Sequence, residues 1–282
     1  MAVSGAGAPA EPVMDLAPQR GPGRITAALR DIGAGLALWR LGLALGWLDI
    51  KLRYRGSILG PLWLTISTAV MVGAMGVLYA TLFHMDLHKF LPFLSLSLVL
   101  WGFIGGVVND APTVFTQAAP LVMSIRMPLF VHVLRMVVRN VLVLLHNVIV
   151  IVVVFALYGT RPHETLTIAP VLALWLLDAG AIALLFGTLG ARFRDIGPIV
   201  ASLMQIFFFV TPIIWPPEMI FVGRQYMLLN PFFPVLEILR GPLLGESVRA
   251  SIWLAAGVHS VVLWALALGL FCRMRARIAY WI

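Results

Sequence analysis

The sequence predicts an all-α polytopic membrane protein. It should have six transmembrane helices, an N-terminal amphipathic interfacial helix, and a re-entrant periplasmic helical hairpin between helices five and six. Three observations lead there. Of 282 residues, 61% are hydrophobic and 11% charged, where soluble domains carry about 25% charged residues. Apolar runs of roughly 18 residues or more recur along the chain, whereas the alternating segments of about 10 residues that mark a β-barrel are missing. The 20 Lys and Arg residues are also shared unevenly between the loops. The net charge of +8 therefore reads as cytoplasmic loops rather than a nucleic-acid surface, and no nucleic-acid partner is expected. With Cys272 as the one cysteine, neither an intrachain disulfide nor a cysteine metal cluster is expected.

Residues 1–24, rich in Ala, Pro and Gly and without an apolar signal core, read as a disordered cytoplasmic tail. Residues 25–60 carry the interfacial helix and a basic collar. Leu29, Ile32, Leu36, Trp39, Leu43 and Ile50 recur at helical steps on one stripe, and Arg30, Asp31 and Arg40 break any continuous apolar run. The segment thus reads as a helix in the membrane plane; the alternative is a first span with a snorkelling Arg40.

Residues 61–282 form the transmembrane domain. The first span runs from Pro61, well placed at a helix start, to about Phe83, and the second from Leu91 to Val108. A proline-broken cytoplasmic stretch, 111–135, precedes the third, Met136 to Tyr158. The fourth is Ile168 to Gly190, the fifth Ile196 to about Trp215, and the sixth Ser251 to Cys272. Between Pro216 and Arg249, two short amphipathic pieces, Glu218–Leu229 and Pro234–Leu244, hinge at Asn230-Pro231. They are too broken to span and read as the re-entrant hairpin. With both termini inside, fifteen of the 20 basic residues fall on the cytoplasmic side, leaving Lys89, Arg161, Arg224, Arg240 and Arg249 outside.

Four motifs recur in order along this plan. The collar carries Asp49, Lys51, Arg53-Tyr54, Ser57, Leu59-Gly60 and Trp63. Ser124-Ile125-Arg126-Met127-Pro128 lies between spans two and three, and Arg192-Phe193-Arg194-Asp195-Ile196 before span five. Thr211-Pro212-Ile213-Ile214-Trp215, then Asn230-Pro231, Glu237 and Arg240, fill the periplasmic region. Together, from about residue 30 to the end, they resemble the permease subunit of an ABC-2 type exporter. The likeness is to the branch that exports O-antigen, capsular polysaccharide and teichoic acid. The terminal Arg277-Ile278-Ala279-Tyr280-Trp281 is similar to that branch as well.

The resemblance implies a half-transporter in a bacterial inner (plasma) membrane, with both termini cytoplasmic. It implies a second copy of the chain, two separate ABC ATPase subunits holding ATP and Mg, and a lipid-linked polysaccharide as substrate. This chain carries no phosphate-binding G-x-x-x-x-G-K-[ST] loop, so no cofactor, metal or catalytic residue of its own is expected. Three rivals are an ABC-2 exporter of drugs or small lipids, a channel without an energy source, which would leave the cytoplasmic Met/Ile segment unexplained, and an intramembrane lipid-linked glycosyltransferase. The last would want clustered carboxylates or a His-Asp constellation, and the acidic residues here are scattered.

The candidate residues each have two readings. Arg53, Tyr54, Arg55, Ser57 and Trp63 would form the substrate entrance, since guanidinium groups suit bidentate phosphate contacts, or would anchor the chain to anionic membrane lipids. Gly56 and Gly60 read as positions of close packing. Ser124, Ile125, Arg126, Met127 and Pro128 would form a coupling helix for the ATPase, because Met and Ile on a cytoplasmic loop ask for a partner surface, or a loop touching lipid. Arg192, Arg194 and Asp195 form the cytoplasmic Arg-Asp element. Pro212, Trp215, Asn230, Pro231, Glu237 and Arg240 would build a periplasmic gate. Phe208 and Trp63 are the candidate channel aromatics, against the belt that any membrane protein shows. Asp178, deep in span four, should lie level with His146 and Asn147 and hydrogen-bond across to span three, as structural glue or in a proton pathway.

Overall fold

The computed structural model describes residues 23–125, 127–162, 165–220 and 224–282, so the expected N-terminal tail, 1–24, falls almost wholly outside the described residues. The chain opens with an arm of two helices, α1 (Gly23–Ala37) and α2 (Trp39–Arg53), bent at Leu38. Then come α3 (Leu62–Leu82), α4 (Leu87–Asp110) with a 3-10 turn at Ala111–Thr113, and the short α5 (Ala119–Ser124). Next are α6 (Phe130–Tyr158), α7 (Thr165–Arg192) and α8 (Ile196–Val210). The 3-10 turns Pro217–Met219 and Arg224–Leu229 lead to α9 (Phe233–Leu244) and α10 (Ala250–Trp281). Among the described residues there is no strand.

Five helices, α3, α4, α6, α7 and α10, are long and apolar enough to cross a membrane. The expected fifth span, Ile196 to Trp215, is helical only to Val210. Its 15 residues rise by about 22 Å at 1.5 Å per residue, less than the roughly 30 Å hydrocarbon core. The expected amphipathic piece Glu218–Leu229 also differs: its described parts are two 3-10 turns, while the second piece is the helix α9. Prolines at 212, 216 and 217 remove backbone donors, so an α-helical ladder cannot run through this stretch. Elsewhere helices outrun the apolar windows: α6 begins at Phe130 rather than Met136, and α10 continues beyond Cys272 to Trp281.

α4 is the hub, packed against α3, α6, α7, α8 and α9. Of its span 78% is buried, against 11% for α3, which touches the bundle on one side and presents Val70, Val77 and Leu82 outward. Within a bilayer, apolar surface gains little from leaving lipid, so close approach and polar bonds hold the helices. Glycines provide the approach. Gly35, Gly42 and Gly46 set the N-terminal arm directly on Phe130, Leu134 and Val138 of α6. The apolar stripe of the arm is evident in the sequence, but this glycine edge is not. On α7, Gly190 takes the backbone of Pro112 so closely that a Cβ there would land on the Pro112 carbonyl.

Gly190→Ala should therefore lower the thermal stability of the detergent-solubilised protein by about 1–3 kcal/mol, the range for overpacking. Gly257→Ala on α10, where a Cβ would meet open space, should melt with the native protein in the same assay.

Candidate functional site

Three carboxylates organise the end of the bundle that carries the collar. Asp31 on α1, only 4% exposed, accepts hydrogen bonds from the Leu129 and Phe130 amides at 3.3 and 3.0 Å and from Arg275 Nε at 2.9 Å. It caps the N-terminus of α6, where a negative charge is favoured, and ties α10 to the same point. Asp49 on α2 takes a two-pronged contact from Arg135, Nε at 2.7 Å and Nη2 at 2.5 Å. Arg139 lies between Asp49 at 3.6 Å and Asp110 at 2.8 Å, and Asn140 Nδ2 donates to Asp110 at 3.0 Å. Helices α1, α2, α4, α6 and α10 are thus joined by charge-assisted bonds.

The collar hangs from this lattice. After Asp49 is pinned to α6, Arg53, Arg55, Ser57 and Trp63 are exposed and Tyr54 is half-buried. Gly56 and Gly60, expected to serve close packing, have no atom within 4 Å of a would-be Cβ. Their φ angles are +87° and +54°, so glycine is there for the left-handed turns. Ser57 Oγ accepts from the Gly60 amide at 3.2 Å and closes the second turn.

The expected coupling segment comprises the end of α5 and the residues leading into α6. Ser124 ends α5, its hydroxyl donating to the Pro120 carbonyl at 2.7 Å. Met123 and Ile125 are 71% and 53% exposed, Met127 and Pro128 are half-buried, and Arg126 lies outside the described residues. Two residues beyond Met127, the chain enters the amide pair held by Asp31. In the Arg-Asp element, Arg194 and Asp195 are exposed, whereas Arg192 lies over the rings of Phe193 and Trp281, each at 5.4 Å.

On the opposite side Arg240 is buried, 1% exposed. Its Nε donates to Glu237 at 3.0 Å and Nη2 pairs with the same carboxylate. Nη1 donates to Ser97 Oγ at 3.0 Å and to the Pro212 carbonyl at 2.5 Å, and the guanidinium stacks 4.6 Å from the Phe93 ring. Asn230 Nδ2 donates to Thr211 Oγ1 at 2.9 Å, while its Oδ1 accepts from the Phe232 amide, turning the chain before Pro231 leads into α9. Pro212, Asn230, Glu237 and Arg240 are thus brought together. Trp215 instead bonds back to the Phe209 carbonyl at 3.1 Å. Trp175, not singled out in the sequence, donates to the Val235 carbonyl at 3.0 Å and joins α7 to α9.

Asp178 does not meet His146 or Asn147. Its Oδ1 accepts from Ser260 on α10 at 2.5 Å. Asn147 Oδ1 accepts instead from Thr68 on α3 at 3.2 Å, and the His146 carbonyl from Thr65 at 3.0 Å. Equal depth does not imply a shared face: Asp178 points toward α10, and Asn147 toward α3.

A groove of about 820 Å³ runs between α4 and α8. Trp101, Gly105, Asn109 and Thr113 line one side, and Gly197, Ala201, Gln205, Phe208 and Phe209 the other. Its glycines and Ala201 leave room, its aromatic rings offer flat apolar faces, and its amides and hydroxyl offer hydrogen bonds. Phe208 lies in this groove. Trp63 does not; it is exposed on α3.

Comparison with known proteins adds a second line. A family model described as ABC-2 type transporter matches residues 41–244. The chain is 26% identical over 192 residues to the O-antigen export system permease protein RfbA of Myxococcus xanthus, covering 67% of this chain and 74% of that one. It is 25% identical over 174 residues to a protein of the same name from Klebsiella pneumoniae, covering 61% and 67%.

Arg240→Ala should cost about 3–5 kcal/mol, because it leaves Glu237 buried without its partner, and thermal unfolding of the purified protein measures this. Asp178→Asn keeps an acceptor for Ser260 and should unfold close to the native protein. Asp178→Ala and Ser260→Ala should each destabilise, and in combination by clearly less than their sum.

Proposed function

The chain belongs to the ABC-2 type transporter family and is the membrane subunit of an ABC exporter rather than an enzyme; from that premise we propose that it passes an O-antigen-type, lipid-linked polysaccharide across the bacterial inner membrane as a homodimer. The observation that carries this reading is the α4–α8 groove. It runs along the membrane-spanning bundle and combines stacking faces at Trp101 and Phe208 with hydrogen-bonding groups at Asn109, Thr113 and Gln205. Sugars present both an apolar ring face and hydroxyls, and such a lining meets both needs without burying a charge. The names of the matched relatives agree with it.

Two copies would place their grooves face to face. In that arrangement α8, extended by Thr211–Trp215, would complete a sixth crossing with both termini on the cytoplasmic side. The segment from Pro216 to Leu244 would form the re-entrant periplasmic gate, with Arg240 fixing its base. Two ABC ATPase subunits, which hold ATP and Mg, would dock on Met123 and Ile125. A push there would reach α6 within a few residues and, through Asp31, α1 and α10. Arg53 and Arg55, exposed beside a collar fixed by Asp49, would meet the anionic pyrophosphate of the lipid carrier. A glycosyltransferase reading fits less well, since Asp31, Asp49 and Asp110 are each occupied by an arginine.

The test is reconstitution with the partner ATPase and assay of polymer delivery. Ile125→Asp with Met123→Asp should lose the co-purified ATPase while the permease level holds; retained ATPase would refute the docking assignment. Phe208→Ala should lower delivery with the ATPase still bound. Arg53→Lys with Arg55→Lys should also lower delivery at normal protein level, whereas unchanged delivery would assign the pair to lipid anchoring.

A further inference from the structure

Behind the groove lies a second space. α8 is a single-helix wall: Gln205 and Phe208 face the groove, and Val200, Leu203 and Phe207 face a cavity of about 290 Å³ on the other side. Met204 lines both. The cavity is floored by α7 at Ala179 and Ile182, flanked by α10 at His259 and Leu263, and roofed by the gate segment at Phe232. Leu203, which lines it, is 46% exposed, so the cavity reaches the surface beside α8.

Its chemistry selects the occupant. Polar side-chain groups gather at one corner: Asp178 and Ser260 bond to each other, and His259 Nδ1 is buried without a hydrogen-bond partner, while Trp175 spends its indole N–H on the Val235 carbonyl. Away from that corner the lining is aliphatic and aromatic and offers water no partner, and such apolar space stays dry. α7 and α10, which line it, are among the helices long and apolar enough to cross a membrane, and the medium beside such helices is hydrocarbon. The volume falls at the small end of ligand pockets, which run from about 300 Å³ upward, so it suits one chain and not a whole lipid.

We infer that this cavity is a binding slot for a single acyl chain of a membrane phospholipid, inserted sideways beside α8. The chain fills the space behind α8 and backs the wall of the groove. The slot itself stands whether or not the groove carries polysaccharide.

Photolabelling tests it. The permease–ATPase complex is placed in nanodiscs of phospholipid bearing a diazirine at the acyl terminus, irradiated, and mapped by peptide mass spectrometry. Label is expected on Ile182, Phe186 and Leu263 inside the slot, as well as on outward positions such as Leu254. Ala179→Phe should abolish the inner label and keep the outer one. Leu263→Trp, at a half-buried rim position, does the same by a separate route should the first variant fail to fold. Label confined to outward positions would overturn the proposal, as would inner label that survives both fillings. Preferential inner labelling by a diazirine isoprenoid over the phospholipid would overturn the assignment to an acyl chain. None of these readouts involves polymer delivery, so failure of the slot and failure of the export reading remain separate.

Discussion

A carboxylate taken out of water needs partners for its oxygens, and the collar end of this bundle is arranged around that requirement. Asp31 on α1, Asp49 on α2 and Asp110 at the end of α4 are each matched to a guanidinium. Single surface ion pairs contribute little, but these are shared: Arg139 serves two carboxylates, and Asp31 serves two backbone amides besides Arg275. Asp31 is the most buried member, its side chain 2% exposed, and removing it strips α6 of its cap and Arg275 of its carboxylate together. The arm α1–α2 is therefore a fixed part of the bundle.

The lattice also divides the molecule into fastened and less fastened parts. Helices α1, α2, α4, α6 and α10 meet in it. α3 is attached by two threonine hydroxyls to α6 and by Gly76 against α4. Among the described residues no side chain of α8 hydrogen-bonds another helix, so along its length α8 is held to its neighbours by packing. Directional bonds fix one arrangement, whereas apolar contacts can be exchanged between neighbouring ones at small cost. The wall of the groove is thus its least constrained boundary, with a cavity behind it.

Much of this was legible in the sequence, and what was missed has a common cause. Apolar length located the five long helices, and the stripe from Leu29 to Ile50 located the arm. Glu237 and Arg240 were identifiable as a pair because they share one short helix, where a three-residue step guarantees proximity. Asp31 with Arg275 is the opposite case: 244 positions separate them, and no local pattern relates them. Asp31 registered only as an interruption of a stripe. Asp178 failed for a related reason, since depth along a hairpin is readable from loop length but the facing helix is not. Gly56 and Gly60 were recognised as special and assigned the wrong cause, because sequence does not separate a glycine needed for its φ from one needed for its size.

The short α8 obeys the same rule of satisfied polar groups. A helix that stops inside a membrane protein leaves carbonyls without amide partners, and in hydrocarbon that is prohibitive unless the protein supplies donors. Here the Phe207 carbonyl accepts from the Thr211 amide and the Phe209 carbonyl from the Trp215 indole, and past Val210 the Pro212 carbonyl accepts from Arg240. Arg240 is in turn neutralised by Glu237 and covered by Phe93. The guanidinium therefore acts as a side-chain substitute for the helical ladder that Pro212, Pro216 and Pro217 forbid. It makes an early end to α8 stable, and it anchors that end to α4 through Ser97. α8 is consequently fixed where its chain turns and loosely packed along its length.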